Sequence, residues 1–219
     1  MKYQVRRFSK PPVIDANWDK APWDALEALS VEHAFGGEPE HRPRTQAKVG
    51  WDREAVYVIF RVEDRYVRAV AAKHQDPVYR DSCAEFFFTP GKDLPRGYFN
   101  LEMNAGGTML FHFQAVPKEN VVTVSEADCA RVLIAHSLPA TVEPERPEPV
   151  VWTVEYRIPT DILPKYARVD RPAEGVTWRV NFFKCGDDTS HPHWLTWSPV
   201  RKSPLGFHLP ECFGELTFV

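Results

Sequence analysis

Two carboxylic acids, Asp81 and Glu85, stand in a stretch that reads YRDSCAEFFF from residue 79 to residue 88. Three consecutive phenylalanines mark a buried strand, so the acids that share it need a reason to be there. Side chains alternate between the two faces of a strand. Ser82, Ala84, Phe86 and Phe88 therefore fall on one face, and Asp81, Cys83, Glu85 and Phe87 on the other. The following GYFNLEMNA sorts in the same way, with Phe99, Leu101 and Met103 against Asn100, Glu102 and Asn104. TPGKDLPRG between them reads as a hairpin loop. If the two strands pair, Glu85 shares a polar face with Asn100, Glu102 and Asn104. Asp81 begins its strand, where an aspartate commonly satisfies local backbone groups, and a structural role is expected for it.

Three more segments carry a polar face. GTMLFHFQ sets Leu110, His112 and Gln114 against Met109, Phe111 and Phe113. VWTVEYRI sets Thr153, Glu155 and Arg157 against Trp152, Val154, Tyr156 and Ile158. TWRVNFFK sets Arg179 and Asn181 against Trp178, Val180 and Phe182. Trp152 and Trp178 are thereby expected in the core. A solvated sheet face is the ordinary explanation of such a pattern. Acids that accept, an arginine that donates and amides that do both also match the hydroxyl groups of a sugar. The apolar face of a sugar ring stacks on an aromatic side chain. Tyr79, and Trp194 and Trp197 in the loop-like HPHWLTWSP, are the candidate rings.

The same residues admit other chemistries. A glycosidase or lyase could use Glu85 with Glu102 or Glu155, because glycoside hydrolysis needs two carboxyls about 5–9.5 Å apart. No catalytic residue is assigned. A haem between Met103 and His112 fails on geometry, since the two alternate to opposite faces. Cys83, Cys129, Cys185 and Cys212 are too widely spaced for a zinc or redox motif and are expected to be free, mostly buried thiols. His191, Cys185 and His193 lack metal-ligand spacing, so no metal site is placed.

The elements that must position these residues are mostly strands. TQAKVGWD and AVYVIFRVED are separated by a turn at Asp52-Arg53-Glu54. The second sets Val56, Val58, Phe60 and Val62 against Tyr57, Ile59 and Arg61. RVLIAHSL and GELTFV complete the series with the segments above. Short alternating segments punctuated by glycine and proline predict an all-β chain, an antiparallel β-sandwich of immunoglobulin-like or jelly-roll-like form with at most one or two short helices. The helical candidate is NWDKAPWDALEAL, with Pro22 in its first turn. ATVEPERPEP, residues 140–149, reads as a surface loop. The chain is expected to form one domain over residues 1–219.

Composition narrows the partners. The 219 residues include 20 prolines and 28 aromatic rings (14 Phe, 7 Trp and 7 Tyr) and carry a net charge of −3. That charge gives no electrostatic footprint for nucleic acid. No run of 18 apolar residues offers a membrane span. The start MKYQVRRFSKPPVIDANW lacks the apolar stretch of a secretory signal. The expectation is a cytoplasmic protein, or an exported one if a leader has been removed.

The order of several segments resembles carbohydrate-binding modules of family 9. They are PVIDANWDKAPW, TQAKVGWDREAVYVIFRVED, RDSCAEFFF, GYFNLEMNAGGT, VVWTVEYRIP, WRVNFFK and the closing FGELTF. The resemblance runs from about Pro12 to the C-terminus. It implies a β-sandwich that binds glycans, often at chain ends, without cleaving them. Such modules are often appended to xylanases, which implies a supporting role in the breakdown of polysaccharides such as xylan. It also implies a sugar held between two rings over polar strand residues. Glu85 and Asn100 match the polar contacts, Tyr79 is the ring ahead of the D-S-x-x-E strand where the family pattern has Trp, and Trp194 or Trp197 supplies the second ring. Members can carry structural calcium, for which no ligand cluster is placed, and no other cofactor or partner enzyme is named.

Overall fold

The computed structural model describes residues 1–219. Its strands are β1 (Lys2–Arg7), β2 (Leu29–Val31), β3 (His33–Ala34), β4 (Arg44–Trp51), β5 (Ala55–Asp64), β6 (Val67–Ala69), β7 (Cys83–Phe88), β8 (Tyr98–Asn104), β9 (Met109–Gln114) and β10 (Val122–Thr123). After the single α-helix, α1 (Glu126–Cys129), come β11 (Leu133–His136), β12 (Val142–Arg146), β13 (Val150–Pro159), β14 (Thr177–Cys185), β15 (Trp194–Thr196) and β16 (Gly214–Phe218). The chain is mostly β, as the alternation predicts.

The main path of paired strands runs β10-β9-β8-β7-β14-β16-β1-β4-β5-β13-β11. It curls so that its two halves share one interior. β1 is the joint. Lys2 to Val5 lie parallel to β16, and Arg6 and Arg7 continue parallel to β4. These two parallel pairs correct the expectation of a wholly antiparallel arrangement. The first residues lacked a clear hydrophobic alternation because β1 is exposed at all but two of its positions, Val5 being its one buried residue.

The interior is a cluster of 37 buried side chains drawn from both halves. Val56, Val58, Phe60 and Val62 meet Ala84, Phe86 and Phe88, with Trp152 and Trp178 among them. The sequence-derived faces of β5, β7, β8, β13 and β14 all survive. Phe86 stacks on Phe182 at 5.0 Å between ring centroids, and Phe88 stacks on Trp178 at 5.2 Å. Such aromatic layering explains the triple phenylalanine. Phe86 and Phe88 fill the interior, and Phe87 packs against Tyr98 and Phe183 on the opposite side.

Two local expectations need correction. The NWDKAPWDALEAL segment forms only a 3-10 turn at Trp23–Ala25. Its role is to strap across the outer face of β13. Glu155, fully buried, accepts from the Trp23 indole N–H (2.8 Å), from the backbone N–H groups of Asp15 and Ala16, and from Lys20. Tertiary anchoring to one carboxylate overrides weak helix propensity there. The 140–149 stretch is not all loop, because β12 pairs with β6 inside it.

One buried polar knot holds the loop after β14. Lys184 points into the interior and its Nζ donates to His193 Nε2 at 2.7 Å, 3.6 Å from Asp64 Oδ2. Asp64 also accepts from the Trp152 indole and sits 2.7 Å from His41. Burial opposes ionisation of Asp64, but Lys184 and His41 outweigh it and hold the carboxyl well below its usual range. Burial, then Lys184, pushes His193 down to about 3. A neutral His193 is thus the acceptor that Lys184 needs, and its neighbour Trp194 is turned outward.

Trp178 should be a major stability determinant. It is stacked on Phe88, and its indole donates to the Asp170 carbonyl at 2.8 Å. Trp178→Ala should lower unfolding free energy by about 3–5 kcal/mol in a urea titration. A loss below about 1 kcal/mol would contradict its burial.

Candidate functional site

The outer face of β7, β8, β9 and β14 is the floor of a cavity of about 530 Å³. Glu85 comes from β7, Asn100 and Glu102 from β8, Leu110, His112 and Gln114 from β9, and Cys185 from the end of β14. Loops build the walls. Tyr79 precedes β7, Asp187 follows β14 and Trp194 opens β15. Lys118 and Val121 come from the segment after β9, Phe35 from the one after β3, and Leu205, Gly206, Phe207 and His208 from the one before β16. The backbone ties the rim together. The Asp187 N–H donates to the Tyr79 carbonyl, and the Phe35 N–H to the Trp194 carbonyl. Tyr79 and Trp194 are each 37% exposed, an unusual state for large rings on an otherwise well-buried sheet face.

The floor is a hydrogen-bonded relay. Asn100 Nδ2 donates to Glu102 Oε1 at 2.9 Å, and Gln114 Nε2 donates to Asn100 Oδ1 at 2.9 Å. Gln114 Oε1 accepts from the Tyr98 hydroxyl (3.0 Å) and from the Lys118 backbone N–H (2.6 Å). His208 Nδ1 lies 2.8 Å from the Tyr98 hydroxyl. The relay therefore fixes both the amide orientations and the two loops beside them. It stops at the acids. Glu85 Oε2 and Glu102 Oε2 are buried with no partner, a costly arrangement unless a ligand completes it.

Glu85 and Glu102 are opposite one another in the β7–β8 register. Burial pushes the Glu85 carboxyl well above the usual carboxylate range, and the Cys185 thiol at its side and Glu102 add to the rise. Burial likewise raises Glu102 to about 7, against the lowering effect of the Asn100 amide. Asp187 is raised by burial as well, although the Trp194 indole donates to it at 2.7 Å. His208 is pushed down to about 3 by burial and the nearby Lys118. The floor is thus biased toward neutral carboxyls, is rich in groups that both donate and accept, and has Lys118 at its edge.

Of the nine residues expected to bind, Tyr79, Glu85, Asn100, Glu102 and Trp194 line this one cavity. The other four serve the fold. Asn104 spends its amide on Asp81, Ala71, Gly106 and Thr108. Arg179 donates to the Phe213 carbonyl. Asn181 bridges to both backbone groups of Ser198. Trp197 lies in the main core, edge-on to Phe182 at 5.7 Å. Alternation assigned these residues to faces but could not show that the chain itself covers part of the outer face. Asp81 is structural, as its position predicts, accepting from the Val70 and Ala71 N–H groups and from Asn104. Gln114 and His112 were legible as outward-facing. Asp187, Lys118, Phe207 and His208 lie in loops without periodic signal.

Of the carboxyl pairs of the hydrolytic alternative, Glu85 and Glu155 separate, whereas Glu85 and Glu102 stay together. Glu155 is buried on β13, in the other half of the strand path, and is consumed by the N-terminal strap. Glu85 and Glu102 are cross-strand neighbours on a single floor. Met103 points into the core and His112 into the cavity, on opposite faces.

The family model described as carbohydrate-binding family 9 matches residues 14–218. The chain is similar in structure to a protein from Bacteroides uniformis described as a candidate carbohydrate-binding protein, at TM-score 0.88 and 27% identity, covering 100% of this chain and 99% of that one. It is also similar to a family 9 module from Caldicellulosiruptor kristjanssonii solved with glucose (TM-score 0.68, 17% identity, coverage 100% and 96%). The same module solved with cellotriose aligns equally well, with coverage of 100% and 93%. Among curated proteins, none matches the chain.

The raised Glu102 carboxyl makes stability depend on pH. Its folded value is about 7 and its ordinary value 4.5. The folded state therefore holds the proton more tightly, and the corresponding stability is present below pH 4.5 and lost as pH rises through 7. Glu102→Gln cannot ionise. Its stability relative to wild type should rise by on the order of 2–3 kcal/mol between pH 5 and pH 8, read from urea midpoints. A constant difference across that range would mean that Glu102 titrates at its ordinary value.

Proposed function

Because this chain belongs to carbohydrate-binding family 9, we propose that the cavity over β7, β8, β9 and β14 is where it holds its saccharide. The chain is a non-catalytic carbohydrate-binding protein. The observation that carries the assignment of the site is the pair of unpartnered, buried carboxyl oxygens, Glu85 Oε2 and Glu102 Oε2, beneath the half-exposed rings of Tyr79 and Trp194. Hydroxyl groups of a sugar would complete the first, and the apolar faces of the ring would cover the second. A volume of about 530 Å³ falls within the range of small-ligand pockets, about 300–1,000 Å³.

The charge state favours a neutral sugar. Burial favours the protonated form of Glu85, in which its carboxyl can donate one hydrogen bond and accept another. That is the repertoire of a glutamine amide, so Glu85→Gln is the mildest change at this position and Glu85→Ala the severe one. The family 9 module solved with glucose and cellotriose suggests glucose-type pyranoses as the first ligands to try. A role in polysaccharide breakdown, xylan included, accords with the resemblance. We also read the two halves of the strand path as the two layers of a β-sandwich, forming one domain over residues 1–219.

Calorimetry with glucose, cellotriose and xylo-oligosaccharides tests the site. Trp194→Ala should weaken binding at least tenfold, about 1.4 kcal/mol, with little change in Tm. Trp197→Ala should do the reverse, lowering Tm because its ring is in the core. If a sugar binds wild type, Trp194→Ala, Tyr79→Ala and Glu85→Ala equally well, the saccharide site is elsewhere.

A further inference from the structure

The floor of the cavity contains a second convergence of groups. Cys83 and Cys185 are directly opposite one another on β7 and β14, and Glu85 lies two residues along β7 on the same face. All three are buried, and their two sulfurs and one carboxylate oxygen lie within 4.8 Å of one another. Cys185 Sγ is 3.0 Å from Glu85 Oε1. A second observation, shared with the saccharide site, points to a ligand here. Glu85 is only 2% exposed, and its other oxygen, Oε2, has no partner. A carboxyl beside two thiols adds nothing to apolar packing, and its burial is costly.

We propose that Cys83, Cys185 and Glu85 bind one thiophilic divalent cation of the Zn²⁺ class at the floor of the pocket. Two sulfur ligands select such an ion over Ca²⁺ or Mg²⁺, which take oxygen ligands. Zinc–ligand bonds of about 2.0–2.3 Å set tetrahedral ligand atoms roughly 3.5–3.8 Å apart. Side-chain rotations of about an ångström close the present set to that spacing. Three protein ligands leave a fourth tetrahedral position. It opens toward the cavity, because Glu85 and Cys185 line that cavity and also give the ion its access. Binding releases the two thiol protons, and the carboxyl proton where present, to solvent; no oxidant or reductant takes part. The ion must displace those protons, and its affinity should rise with pH. The inference goes beyond saccharide binding, shares Glu85 with it, and does not depend on it.

The test uses the full chain, reduced and freed of metal by chelator, titrated with Co²⁺ as a spectroscopic probe and then with Zn²⁺. One equivalent of Co²⁺ should produce a thiolate-to-cobalt charge-transfer band, and Zn²⁺ should abolish it. The band should be lost in Cys83→Ser and in Cys185→Ser, be altered in Glu85→Gln, and be retained in Cys212→Ser. If Cys83→Ser fails to fold by circular dichroism, Cys185→Ser decides. No band in wild type, or one that survives in Cys185→Ser, overturns the proposal. So does a thiol titration under denaturing conditions that finds two free thiols in place of four, since the cysteines would then be bridged to each other. Sugar calorimetry on the metal-free protein is a separate measurement, so failure of the saccharide site and failure of the metal site are distinguishable.

Discussion

Two carboxyl groups share one dry patch of sheet, and much of the rest of the site follows from that constraint. Glu85 and Glu102 occupy opposed positions on β7 and β8, where the register gives them no separation beyond that of cross-strand neighbours. Two ionised carboxylates at that range, out of water, would repel strongly. Burial therefore raises both carboxyls above the usual carboxylate range and favours their neutral forms. The neighbouring groups fit this state. Asn100, Gln114 and Tyr98 form a relay of neutral donors and acceptors, and no guanidinium reaches the pair. A floor of that kind recognises hydroxyl groups by geometry and has little to offer a strongly charged ligand.

The outer faces of the strands meet three different fates, and the difference is one of coverage. On β13 the N-terminal strap closes over Glu155, which takes up the backbone of Asp15 and Ala16, Lys20 and the Trp23 indole. At the β16 end of β14, the segment from Ser198 to Phe213 closes over Arg179 and Asn181. Over β7, β8, β9 and the far end of β14 the loops stand back and leave the cavity floored by Glu85 and Glu102. Glu155 and Asn181 under the first two covers are hydrogen-bonded at both polar atoms by the chain itself. Glu85 and Glu102 under the third retain unpartnered oxygens. This contrast, more than the presence of polar residues, separates a binding face from a structural one.

The rim owes its form to interior chemistry. Lys184 faces inward between residues that face outward, and its ammonium is held by Asp64 and a neutral His193. A buried ion pair of this kind adds little net stability, but removing one partner leaves an uncompensated charge. Its geometric effect is to hold the HPHW segment to the sheet by its second histidine. Trp194 is then directed outward, where Asp187 accepts from its indole and orients the ring. Trp197, three residues on, is carried back into the core.

Much of the fold was legible because period-two alternation is a local property. β5 spans the ten residues its pattern marks, and the faces of β7, β8, β13 and β14 follow from which positions carry Phe, Val, Leu and Trp. The same alternation determined that Glu85, Asn100 and Glu102 share a face, since a strand's period leaves no choice once its apolar side is known. The family resemblance was also in the sequence, because it rests on the order of such segments. What only the tertiary structure decided is which polar residues are spent on the chain itself. Asn104 and Asn100 are equivalent by pattern, yet the first is consumed by Asp81 and a turn while the second meets the cavity. Trp194 and Trp197 are equivalent loop tryptophans until a three-residue strand, β15, and the Lys184–His193 contact turn one out and the other in. Those outcomes depend on contacts between residues far apart in the chain, as with Asp187, Lys118 and His208, which three separate loops bring to one cavity. Local periodicity carries no information about such contacts, so the floor of the site could be read from the sequence and its walls could not.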